Sequence, residues 1–167
     1  MIVVGGVSEL YQGDLDIGRL AVEALAPEFA DRPDVAVEDF YYGPVAVAQR
    51  LAELGPTALV LVGAVERGRP PGSVHLRRWG SHRTGPVESQ AAIGDAVVGY
   101  VGVDLLIEVG RALGALPPEV AVVEVEPAST ASSTELSPEA ARALGPVLAA
   151  VRAAISDRAA SVRVQSG

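Results

Sequence analysis

Three acids, Glu9, Asp14 and Asp16, fall close together in a loop that follows the apolar run and glycine pair of "MIVVGGV". With Asp39 from the next apolar segment they could gather a hard cation or do acid–base work, since clustered carboxylates offer oxygen donors and perturb one another's protonation. Each acid also has a local reading: Asp16 as the N-cap of the helix that follows, Asp14 in an Asx turn, and Glu9 in solvent. The doublet Gly5-Gly6 is followed by "VSELYQG", so the G-x-G-x-x-G spacing is absent and a dinucleotide site has no basis.

His75 and His82 are the only imidazoles, and they sit among Arg67, Arg69, Arg77, Arg78 and Arg83. Neither neighbourhood supplies the carboxylates a metal centre would want, so a surface role is expected for both. The five arginines could greet an acidic partner, although a solvated hairpin face accounts for them as well. Tyr41, Tyr42 and Trp79 could form an amphipathic docking patch or pack at the rim of a core. No Ser-His-Asp order and no phosphate loop stands out.

Composition excludes whole classes. There is no cysteine, hence no disulfide and no thiolate chemistry. A formal charge of −8 lacks the basic stripe that would displace phosphate counterions, so nucleic acid is not an expected partner. No apolar run approaches the ~18 residues of a membrane span, and "MIVV" lacks the basic start of a leader. A soluble cytoplasmic protein without a cofactor is expected.

The elements that must position these groups alternate. Strands are expected at "MIVVGGV", "DVAVEDF", "TALVLVGAV" and "EVAVVEVEP", and "SVHLRRW" returns antiparallel because "RGRPPGS" is too short for a parallel crossover. Helices follow the first loop, with a stripe of Ile17, Leu20, Ala21, Ala24 and Leu25, and lie at Pro44 to Leu54, at about Val103 to Leu113 and from Ser137-Pro138 onward. Gly145-Pro146 should kink or divide the last helix. The pattern predicts an α/β fold, a three-layer α/β/α sandwich whose mostly parallel twisted sheet has about five strands and one antiparallel strand. Residues 1–156 would form a single domain, and residues 157–167 a flexible tail. Ligands in such folds bind beyond the carboxyl ends of the strands, which directs attention to the first loop, to "DFYYG" and to "GAVERG".

The order of elements over about residues 2 to 156 resembles the hydrogenase maturation proteases, which trim the C-terminal extension of nickel-iron hydrogenase large subunits. Gly6, Asp14, Ile17, Gly18 and "VEAL" fit the family's opening, "PPGSVHL" its Pro-Gly-Thr-Val turn, and "LGALPPEVAVVEVEP" and "ELSPEAARALGPVLAAV" its late strand and last helix. The resemblance implies three side chains that recognise nickel in the immature large subunit: an acid in the first loop, an Asp ending the third strand, and a His before the late helix. Those positions read Leu15, Gly63 and about Gly99 here, and none offers a lone pair to a borderline cation. Asp39 is matched, whereas the family's Gly-Gly-Thr after its second strand has become Phe40-Tyr41-Tyr42.

The expectation is therefore a degenerate member that binds a hydrogenase large subunit or related protein partner, with Glu9, Asp14, Asp16, Asp39, Tyr41 and Tyr42 as candidate binding residues and no metal ligands. Two rivals stay open: an endopeptidase acting on the C-terminus of a hydrogenase large subunit, either metal-independent or using Asp14, Asp16 and Asp39, and an unrelated small-molecule site at the strand ends.

Overall fold

The computed structural model describes residues 1–79 and 102–165, so His82, Arg83 and Gly99 lie outside the described residues. Short β-branched runs build the sheet. β1 (Ile2–Val7) and β3 (Ala58–Ala64) are buried along almost their whole length, as continuous apolar strands covered on both faces must be. β2 (Val35–Phe40) pairs with β1, and β5 (Glu119–Val125) with β3, all parallel. β4 (Val74–Trp79) runs antiparallel against β5, as the short link before it requires. The sheet order is β2-β1-β3-β5-β4, five strands with the antiparallel one among them.

Alternation along the strands divides the core in two. Val4, Val60, Val62 and Val123 pack with α1 (Ile17–Phe29) and α4 (Pro138–Gln165). Val3, Leu59, Leu61 and Val122 pack with α2 (Pro44–Leu54) and α3 (Val103–Ala112) on the other face. The result is the expected three-layer sandwich. α2 starts at Pro44 and stops at Gly55, which takes the left-handed conformation that a β-carbon would disfavour.

In α1 the buried stripe is Ile17, Gly18, Ala21, Val22 and Leu25, so Gly18 and Val22 face inward where Leu20 and Ala24 were expected. The glycines explain the rotation. A β-carbon on Gly6 would lie 2.3 Å from the Gly18 carbonyl oxygen, and one on Gly18 would lie 2.2 Å from that of Val7. Two bare backbones thus let α1 press directly onto β1.

α4 differs from expectation twice. It runs unbroken through Gly145-Pro146, and it continues to Gln165, so a helix occupies most of the stretch expected to be a tail. Gly145 and Pro146 lie on the exposed face of α4, where water can satisfy the carbonyl that proline leaves unpaired. Ser137 caps its start, as expected, its hydroxyl accepting the Ala140 N–H at 3.1 Å. Among the described residues no helix is long and apolar enough to cross a membrane.

Candidate functional site

Between β1 and β3 the chain reverses its direction of travel across the sheet, and a cleft opens there beyond the carboxyl ends of the strands. Its volume is about 770 Å³. The loop after β1 contributes Glu9, Gln12 and Leu15; the end of β3 contributes Ala64, Val65 and Glu66; the start of α3 contributes Gly102, Val103, Asp104, Leu105 and Glu108; and Thr130 closes the rim. Among the described residues, four carboxylates thus line a space that aliphatic side chains share. Among the described residues no three His, Cys, Asp or Glu side chains converge closely enough to hold a metal ion.

Of the residues singled out in the sequence, only Glu9 and Leu15 belong to this cleft. Asp14 is 1% exposed, and its carboxylate accepts hydrogen bonds from the backbone N–H groups of Ala128, Ser129 and Ser137 at 2.7 to 3.1 Å and from the Ser137 hydroxyl at 2.8 Å. This is a long-range anchor, not an Asx turn. Burial pushes the Asp14 carboxyl up, but the bonds from Ser137, Ala128 and Ser129 outweigh it and hold it below the usual range. Asp16 makes no capping bond and pairs instead with Arg19, which also reaches Glu23.

Asp39 accepts a bond from the buried Ser8 hydroxyl at 3.3 Å, and burial raises its carboxyl above the ordinary value against that bond and the charge of Arg19. Asp16 and Asp39 therefore feel each other on the α1 side of the sheet. The four acids do not form one cluster: the structure gives Asp14 and Asp16 dedicated partners and puts Glu9 in the cleft.

The aromatic patch divides as well. Tyr41 is 55% exposed and meets Tyr42 edge to face at 5.4 Å, while Tyr42 packs on Phe40 at 6.2 Å. Trp79 ends β4, at the opposite edge of the sheet, so it cannot share a docking surface with the two tyrosines.

The arginines give the largest correction to the sequence reading. Glu124 on β5 is 0% exposed, and Arg67, Arg69 and Arg77 converge on it at 2.7 to 2.9 Å. Arg67 and Arg77 also bridge to Asp104 at the start of α3. Burial drives the Glu124 carboxyl up, yet bonds from Arg67 and Arg69 and the charges of Arg77 and Arg67 bring it down to about 2. Glu126 accepts the backbone N–H groups of Arg67 and Gly68, which fixes the turn after β3. Among the described residues of that group, Arg78, paired with Asp157, and the exposed His75 keep the solvated character expected of this hairpin. A glutamate inside a strand buried on both faces needs a counter-charge, and that was the signal available in "VVEVE".

Comparison with solved structures places this architecture. A hydrogenase 2 maturation peptidase from a Thaumarchaeota archaeon matches with a TM-score of 0.62 and 23% identity, over 92% of this chain and 97% of that one. The hydrogenase maturating endopeptidase HybD from E. coli matches with a TM-score of 0.65 and 22% identity, over 94% and 93%. The fold is that of the hydrogenase maturation proteases. A [NiFe] hydrogenase maturation protease HycI from Thermococcus kodakarensis gives 0.64 and 20%, over 90% and 88%. No protein-family model matches this sequence, and no curated protein matches it significantly.

Set on that fold, two of the three positions that the resemblance assigns to nickel recognition are described. Leu15 is half-exposed on the cleft wall, so it presents a hydrocarbon surface there instead of filling the core. Gly63 lies under Val103: a β-carbon on residue 63 would sit 2.7 Å from Val103 Cγ2 and 3.2 Å from the Val7 carbonyl oxygen. Val103 thus occupies the room that a side chain at position 63 would need.

Proposed function

We propose that this chain is a non-proteolytic counterpart of the hydrogenase maturation proteases, which uses the cleft between β1 and β3 to bind a nickel-iron hydrogenase large subunit or a protein assembled with it. The observation that carries the reading is the pairing of Leu15 with Gly63 beneath Val103. One donor position offers hydrocarbon, and the other has been closed by a neighbouring valine. The cleft itself remains, with an aliphatic floor at Leu15, Val103 and Leu105 and a carboxylate rim, which suits a protein segment that brings both apolar and basic groups. The absence of cysteine fits a reducing compartment such as the cytoplasm.

The test is incubation with a nickel-loaded large-subunit precursor. The precursor should keep its C-terminal extension by mass spectrometry while co-eluting with this protein on gel filtration. Specific removal of the extension would overturn the non-proteolytic reading, and failure to co-elute would overturn the partner.

A second reading, an endopeptidase with an altered carboxylate site, is favoured by Glu9, Glu66, Asp104 and Glu108 around one cleft. Any cleavage seen should then disappear in Glu9→Gln with Glu66→Gln. Asp14 and Asp16 are unsuitable for that test, because both already serve the fold.

A further inference from the structure

The loop that walls one side of the cleft between β1 and β3 holds a residue whose own packing does not explain it. Among the described residues Tyr11 is the single non-glycine with a positive φ, 64°. A bulky side chain is strained in that left-handed region, and such strain persists only where the surroundings impose it. Here they do. The Tyr11 carbonyl accepts the Ser133 N–H at 3.0 Å, and the Ser133 carbonyl accepts the Gly13 N–H at 3.0 Å. The side chain returns little to the fold: it is 69% exposed beside Leu10, itself 42% exposed, and its hydroxyl has no hydrogen-bond partner among the described residues. Tyr11 falls between Glu9 and Gln12, which both line the cleft, so the fold holds an aromatic ring out to solvent at its mouth.

The space beside that ring has a preferred charge. Asp104 is occupied by Arg67 and Arg77, but among the described residues no cation or donor engages the carboxylates of Glu9, Glu66 and Glu108. These three share the cleft with Leu15, Val65 and Leu105. The chain as a whole has the same sign, at −8. Such a surface steers a basic partner inward and rejects an acidic one, because like charges brought together there lose water and gain no counter-charge.

We infer that the occupant of the cleft is an extended protein segment in which arginine or lysine side chains flank an apolar one. Glu9, Glu66 and Glu108 receive the cations, Leu15 and Leu105 meet the apolar group, and Tyr11 packs on the partner as an aromatic anchor. The inference rests on the binding role proposed for the cleft and adds the chemistry of what binds. An aromatic residue already fixed in its bound backbone conformation loses little freedom on association, and such residues carry much of the affinity of an interface.

The probe is a fluorescein-labelled hexapeptide that alternates arginine and leucine, titrated with the full chain at physiological salt and read by anisotropy. Binding should saturate at one site, weaken about tenfold when serine replaces either the arginines or the leucines, and vanish when glutamate replaces the arginines. Glu9→Gln with Glu108→Gln should also weaken it about tenfold. Asp31→Asn with Glu53→Gln, which removes the same charge after α1 and in the last turn of α2, at the other end of the sheet, should leave it unchanged. Tyr11→Gly keeps the left-handed backbone without the strain, so it should weaken the peptide about fivefold while the urea midpoint holds or rises. Leu10→Ser, expected to weaken binding as well, covers the case in which Tyr11→Gly does not fold. No saturable binding up to millimolar peptide, equal affinity for the glutamate peptide, equal weakening by the distant pair, or a Tyr11→Gly variant that binds as the parent does would each overturn the inference. The precursor co-elution is read separately: co-elution without any preference for the basic peptide sinks the segment chemistry alone, and that preference without co-elution sinks the hydrogenase partner alone.

Discussion

Asp14 shows how one side chain can fail as chemistry and succeed as architecture. Its carboxylate holds three backbone N–H groups and a hydroxyl from a segment more than a hundred positions away, a span no local pattern encodes. Asp14→Asn should cost about 2 kcal/mol in urea unfolding, because at least one buried donor loses its acceptor. Glu124 poses the same problem at higher charge. Glu124→Gln leaves three arginines around a neutral amide and should cost about 3 kcal/mol. Both carboxyls sit below their ordinary values of 3.8 and 4.5, Glu124 at about 2, so their stabilisation is complete above those values and is lost as the pH falls through the folded ones. Stability measured between pH 5 and about 2 should therefore decline steeply, and less steeply in either variant. At Gly63 the contact is steric: Gly63→Asp should destabilise by about 1–3 kcal/mol, and Val103→Ala should return part of that loss in the double variant.

The elements were largely legible from periodicity. Continuous apolar runs marked β1 and β3, proline and glycine bracketed α2, and the short link before β4 dictated its reversed direction. The shortfalls share a cause, which is that pattern reports preference and packing decides. The inward face of α1 turned toward Gly18 because glycine permits contact that leucine would forbid. Pro146 stayed inside α4 because the carbonyl it leaves without an N–H belongs to Arg142, on the exposed side of the helix. Pro146→Ala should accordingly lengthen the hydrogen-bonded ladder and raise stability by about 1 kcal/mol, read as a higher urea midpoint with an unchanged slope. The arginine hairpin was misread because its partner Glu124 lies 47 to 57 positions further on, beyond the reach of any local pattern.

At the scale of the molecule the parallel sheet fixes where the cleft lies. The carboxyl end of the parallel strands carries the acid-rimmed cleft, above a core divided between the two faces of the sheet. Of the cleft, its location could be foreseen from the topology rule and Glu9 and Leu15 from the first loop, whereas its α3 wall depends on Asp104 being held by Arg67 and Arg77. The tether from Asp14 to the head of α4 has a kinetic corollary. It holds one lip of the opening in place, so the partner proposed above would meet a mould instead of a closing hand. Stopped-flow association should then be monophasic, with an observed rate that climbs linearly with partner concentration and never plateaus.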